Sequence, residues 1–378
     1  MSATTDPNRA GWALTWASFA ALMVAVTLAA GLENPSHVMG FQPVIGLFGA
    51  LMLGLGTFRP QLAAAGPRLA MLAAVAACLV FGAFGLLDWA ERSLIVGAMA
   101  VGYWLAAWML VARLAAMPAR GGLLGRAQAL VAPLVFGLTL IWAWQLAVQA
   151  LGVPRVILPA PAEIGARIAS SLPILWTDLV QTFGRGALSG FAIGCGSAFL
   201  FALVVDRFDF LRRGLLPVGN FLAALPIIGT APIFVMWFGF DWPSKAAVVV
   251  AMVFFPMLVN TVQGLAATDR MQRDLMHTWS AGWWQSLMFL RLPAAMPFVF
   301  NGLKICATLA LIGAIVAEFF GSPTYGMGFR ISTEVGRLQL DMVWAEIATA
   351  ALLGSAFYGF WALVERRVTF WHPSQRGR

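Results

Sequence analysis

The chain has 378 residues, of which 61% are hydrophobic and only 11% charged. A soluble globular domain carries roughly a quarter charged residues, so a soluble architecture is excluded. The net charge of +8 comes from arginines in short loops between apolar runs, a signature of membrane topology rather than of nucleic-acid binding.

Many of the apolar runs are about 20 residues long, enough to cross a bilayer as a helix. The short alternating segments that a transmembrane barrel needs do not dominate. The prediction is an all-α, polytopic transmembrane helical bundle of about ten spans. Four come early, at about 11–31, 38–56, 68–87 and 93–113. The first has a weak n-region and is long enough to span, so it reads as an uncleaved helix rather than a signal peptide. A linker follows over 114–125, with Met117-Pro118 and Gly121-Gly122. Six more spans are expected at about 127–150, 180–205, 214–238, 245–265, 297–319 and 342–364. The linker divides an additional N-terminal region, 1–125, from a six-span core over 126–373.

Charge orients this map. With the N-terminus in the cytoplasm, most of the 24 lysines and arginines fall in cytoplasmic segments, among them Arg9, Arg59, Arg113, Arg207, Arg270, Arg273, Arg291, Arg366 and Arg367. Both termini are therefore expected inside. The expected external segments are not plain connectors. Residues 152–175 hold Pro154, Pro159 and Pro161, which break a straight helix. Residues 320–341 open with a Gly-rich stretch and continue as a polar helix. In span 180–205, Gly186, Gly190 and Gly194 share one helix face, which lets another backbone approach closely. Cys78, Cys195 and Cys306 lie inside apolar runs and read as small core residues.

Chemical motifs are scarce. There is no Walker A sequence, so ATP binding by this chain is not expected. There is no HExxH, and His37, His277 and His372 are scattered, so no metal site is expected. A nucleophile elbow is absent too, and the chain reads as something other than an enzyme. Lys304 and Glu318 are ionisable residues of span 297–319. They are either functional or paired at an interface.

The informative stretch is 270–297, RMQRDLMHTWSAGWWQSLMFLRLPAAMP, between two expected spans. From Asp274 to Leu290 its pattern is helical. Leu275, Met276, Trp279, Trp283, Leu287 and Leu290 recur at three and four, giving one apolar face. Ser280 and Gly282 make a weak point, and Leu292-Pro293 closes the segment. It fits a short helix along the membrane face, offered to a partner.

This stretch resembles the EAA loop of importer-type ATP-binding-cassette permeases, whose pattern is E-A-A-x3-G-x9-I-x-L-P. Asp274-Leu275-Met276 take the E-A-A places, Ser280 the glycine place, and Leu290-Arg291-Leu292-Pro293 the closing I-x-L-P. The spacing fits without a gap, while Asp, Leu-Met, Ser and Leu depart from the pattern. From about Val153 to Pro373 the chain is similar to the permease branch importing nitrate, taurine, aliphatic sulfonates and thiamine-type pyrimidine precursors. ILPAP at 157–161, LPIIGTAPIFVMWFGF at 225–240, FFPMLVNTVQGL at 254–265, NGLKICATLALIGAIVAEFFG at 301–321 and GMGFRI at 326–331 carry that similarity. Residues 1–125 lie outside it.

The resemblance implies a bacterial inner-membrane permease homodimer surrounded by lipid, two cytoplasmic ATPase subunits that bind the ATP, and a periplasmic solute-binding protein. It implies an ATPase-coupling set of Asp274, Leu275, Met276, Trp279, Ser280, Gly282, Trp283, Leu290, Leu292 and Pro293. Candidates for the solute path are Asn220, Phe254, Phe255, Asn260 and Asn301, with Lys304 and Glu318. Their amide-and-aromatic character fits a pyrimidine-like heterocycle better than a sulfonate or nitrate. The alternative is a secondary, ion-coupled transporter. It would show inverted repeats, and none is visible in the sequence.

Overall fold

The computed structural model describes residues 123–208, 210, 211, 213, 214, 227–321 and 325–371, with Tyr103, Trp104, Ala107, Trp108 and Val111. The first three early spans, most of the fourth, residues 215–226 of the span expected at 214–238, and Asn220 therefore lie outside the described residues. All regular structure among the described residues is helical. Five of these helical stretches are long and apolar enough to cross a membrane. The chain divides into two units, 1–163 and 164–378.

In the first unit, α1 (Leu123–Ala150) forms where a span was expected and carries Pro133 in its interior. Beyond it the chain turns through Gly152 at φ 58°. Gln145 Oε1 then accepts from Ala162 N at 2.9 Å, fixing the entry to the next helix. That helix, α2 (Pro161–Ser170), has Pro161 in its first turn, where its missing N–H costs nothing, and Glu163 favourably placed near the helix N-terminus.

The second unit is built around α6 (Trp242–Ala266). Before it, α3 (Leu172–Leu179) passes through a π-helical segment, Val180–Ala187, into α4 (Leu188–Arg207). Together these form one apolar stretch over Leu172–Arg207, beginning eight residues before the expected span. The next helix, α5 (Ile227–Phe238), is short. Asp241 Oδ1 accepts from Trp242 N at 2.7 Å, and α6 starts there. After α6 come α7 (Arg270–Thr278), α8 (Trp283–Ser286), a π-helical segment Leu287–Arg291, and α9 (Leu292–Gly321). The chain continues into α10 (Met327–Gly336) and α11 (Leu340–Val368).

Packing runs α4 on α6, α6 on α9 and α9 on α11. In hydrocarbon, helices associate through close contact rather than escape from water, so small residues line the seams. A Cβ at Gly190 would strike the Val249 side chain, and one at Gly194 would strike Val253. The two glycines thus let α4 and α6 touch backbone to side chain, on the face the four-residue spacing indicated. Phe191, Cys195, Val249, Val253, Met257, Cys306, Ala310 and Phe357 fill the shared core.

Candidate functional site

The stretch between α6 and α9 is made by local hydrogen bonding. Asp269 N donates to Gln272 Oε1 at 3.3 Å and opens α7. Arg273 donates to Thr268 Oγ1 at 2.8 Å and to the carbonyls of Ala266 and Thr268 at 2.7 and 2.8 Å, tying α7 to the last turn of α6. At the other end Ser280 takes φ 53°. Ser280 N donates to His277 O at 2.9 Å and Ala281 N to Met276 O at 3.0 Å. This is the left-handed helix stop whose turn residue is usually glycine. Ser280 also occupies the glycine place of the loop pattern. Gly282 N then donates to Gln285 Oε1 at 2.9 Å and starts α8. Leu292 and Pro293 open α9, with Pro293 in the first turn.

The single helix expected over 274–290 is therefore not formed. The turn at 279–282 divides it, because the left-handed Ser280 ends one helix and Gly282 begins the next. The apolar face divides with it. Met271, Leu275 and Trp279 are exposed, Trp279 at 73%. Asp274 is exposed and Met276 half-buried. Past the turn, Trp283 is half-buried against the cluster of Leu265, Leu287 and Ala295, and the Arg207 guanidinium lies 5.4 Å from the centroid of its ring. Leu290, Leu292 and Pro293 are half-buried. Trp283 thus faces the bundle, while Leu275 and Trp279 face outward.

The remaining candidates fall in three places. Asn301 Nδ2 donates to Asn260 Oδ1 at 3.1 Å, joining α9 to α6 by an amide pair. About one and a half turns before Asn260, Phe254 and Phe255 meet edge to face at 5.3 Å, and Phe201 of α4 lies 6.0 Å from Phe254. Lys304 is in a second place, where Nζ pairs with Glu365 Oε2 of α11 at 2.7 Å.

Glu318 is in the third, fully buried. Its Oε2 accepts from Thr182 Oγ1 at 2.6 Å and from Gly328 N at 3.2 Å, and Oε1 lies 3.7 Å from Lys245 Nζ. Asp178, also fully buried, accepts from Gly326 N at 2.8 Å and from Arg330 Nε at 2.9 Å. Thr182 Oγ1 accepts from Met327 N at 2.8 Å. Three successive backbone N–H groups at the start of α10 are therefore seated on α3, the π-helical segment after it and α9. Both glycines of Gly326-Met327-Gly328 are required there. Gly326 sits at φ 127°, and a Cβ at Gly328 would strike the Ile315 carbonyl.

Lys304 and Glu318 do not meet; each has its own partner on another element. The sequence reading missed Asp178, Thr182, Lys245, Arg330 and the fully buried Glu346. It also missed Asp206, which binds Arg291 Nη2 through Oδ1 at 2.6 Å. Lys245 and Asp178 stand at the edges of apolar runs and read as loop residues. Glu346, a lone carboxylate inside an apolar run, was the legible one.

Comparisons with known proteins converge on one group. Residues 190–370 match the family described as binding-protein-dependent transport system inner membrane component. The riboflavin transport system permease protein of Chloroflexus aurantiacus is 31% identical over 248 residues, 65% of this chain and 91% of the relative. The formylaminopyrimidine transport permease protein of Halalkalibacterium halodurans is 32% identical over 244 residues, covering 64% and 96%. A putative aliphatic sulfonates transport permease protein of Bacillus subtilis is 29% identical over 241 residues, covering 63% and 86%.

Proposed function

Because the chain belongs to the binding-protein-dependent transport system inner membrane component family, we propose that α7 and the turn after it are where an ATPase drives it. The chain is the transmembrane permease subunit of a binding-protein-dependent ABC importer. Its partners are an ATPase subunit, which binds the ATP, and a solute-binding protein. It acts by transport, as its relatives do.

The observation that carries the coupling role is the exposed apolar row Met271, Leu275 and Trp279 on a short helix bonded at its base to α6. Asp274, Met276, Ser280 and Gly282 shape that surface. Trp283, Leu290, Leu292 and Pro293 join it to the bundle. The Asn260–Asn301 amide pair and the Phe254–Phe255 ring pair are proposed to line the solute path. Amides and aromatic faces suit a flat heterocycle with ring donors and acceptors, and the riboflavin and formylaminopyrimidine permeases among the relatives point the same way. The working unit is a permease homodimer in the bacterial inner membrane. Each chain has ten spans and both termini in the cytoplasm.

The test is uptake into vesicles that hold permease, ATPase and binding protein. ATP-driven uptake of riboflavin or a formylaminopyrimidine is expected to exceed that of taurine. Trp279→Asp should insert normally, since no span is touched. It should weaken ATPase association by roughly two orders of magnitude, the effect of burying an unpaired charge. A Trp279→Asp importer with full uptake and a normal ATPase complex overturns the coupling surface. A preference for taurine overturns the substrate class.

A further inference from the structure

The stretch between α6 and α9 is held differently in its two halves. α7 is tied at its base by Arg273 and otherwise presents Met271, Leu275 and Trp279 outward. Past the Ser280 turn the chain is bonded to two spans at once. Arg291 Nη2 pairs with Asp206 Oδ1 in the last turn of α4 at 2.6 Å. The same guanidinium donates from Nε and Nη2 to the Leu265 carbonyl near the end of α6, at 3.2 and 3.1 Å. The Asp206 side chain is 2% exposed and its Oδ2 is buried with no hydrogen-bond partner among the described residues.

We propose that the Asp206–Arg291 pair is the joint through which movement of α7 reaches α4, and that both are positioning residues of the transport cycle. This rests on the reading of α7 as the ATPase contact. The packing of Trp283 on the cluster of Leu265, Leu287 and Ala295 can slide, because dispersion has little directional preference. A part-buried guanidinium–carboxylate bond cannot. It is short and directional, and opening it leaves the Asp206 carboxylate unpaired away from water. Arg291 also holds Leu265 O, so α4 and α6 are clamped at one point. The motif's last residues, Leu292-Pro293, follow directly into α9. A displacement of the turn therefore reaches α4, α6 and α9 together.

The experiment uses the permease with its ATPase subunits in lipid nanodiscs, and MgATP with vanadate as the probe. Hydrogen exchange is followed in 270–278 and 200–207, with and without nucleotide. In the wild type both segments respond. In Asp206→Asn and in Arg291→Gln the response of 270–278 is retained, which reports an intact fold and ATPase contact. The response of 200–207 falls about fivefold or more, the lower end of coupling between sites. The double variant loses no more than either single one, because both remove the same link. An undiminished response at 200–207, additive losses in the double variant, or loss at 270–278 in either single variant overturns the joint. No response at 270–278 in the wild type overturns the coupling reading itself.

Discussion

Ser280 shows how one residue sets the shape of the proposed coupling surface. Its φ of 53° is sterically costly for any residue with a Cβ, about 1–2 kcal/mol. Glycine has no such cost, which gives a physical reason for glycine at this place of the loop pattern. Ser280→Gly is expected to stabilise the turn by about 1 kcal/mol and to slow loss of structure on heating. Tryptophan fluorescence of the detergent-solubilised protein reads this, since Trp279, Trp283 and Trp284 flank the turn. A lower midpoint in Ser280→Gly would show that the left-handed turn is not populated. The position was legible in the sequence because the motif's spacing is fixed by local chain geometry. Arg291 was not legible as an anchor, because its carboxylate partner lies 85 residues away and nothing local announces it.

Among the elements, the spans were legible wherever apolar length alone decides. The helices α1, α6, α9 and α11 begin and end within about five residues of the expected limits. The start of the Leu172–Arg207 stretch lies further off. Residues 152–175 read as an external segment because of their prolines, and Asp178 fell before the expected start, yet the Gly326 N–H and Arg330 satisfy Asp178, so the helix begins earlier. Periodicity also failed over 274–290. It reports which residues share a face if the helix is continuous, and it cannot see that a Ser280–Gly282 turn turns Trp283 onto Arg207. The polar helix expected within 320–341 is present as α10. The two buried carboxylates and the threonine hydroxyl that hold the start of α10 come from three other segments and leave no local trace.

For the whole molecule, the arginine distribution argues for both termini on the cytoplasmic side. Reporter fusions after Arg120 and after Arg376 should both read as cytoplasmic, and a periplasmic signal at Arg120 breaks that topology. The similarity to importer permeases begins beyond the linker, so 1–120 is expected to be a separable module. A chain starting at Gly121 should insert and retain its ATPase; insertion without ATPase binding would place the early spans within the core machinery. The outward row of Met271, Leu275 and Trp279 has a consequence for the cell's handling of this subunit. An apolar tip of this kind, left uncovered in water, is the sort of surface that quality-control proteases and chaperones recognise. On the proposed coupling role, a copy made in excess of its ATPase carries its own mark for disposal, and subunit stoichiometry can be kept by degradation rather than by matched synthesis. The half-life of the chain should shorten when the ATPase is withheld, and Leu275→Ser with Trp279→Ser should restore it; equal half-lives with and without the ATPase would refute this.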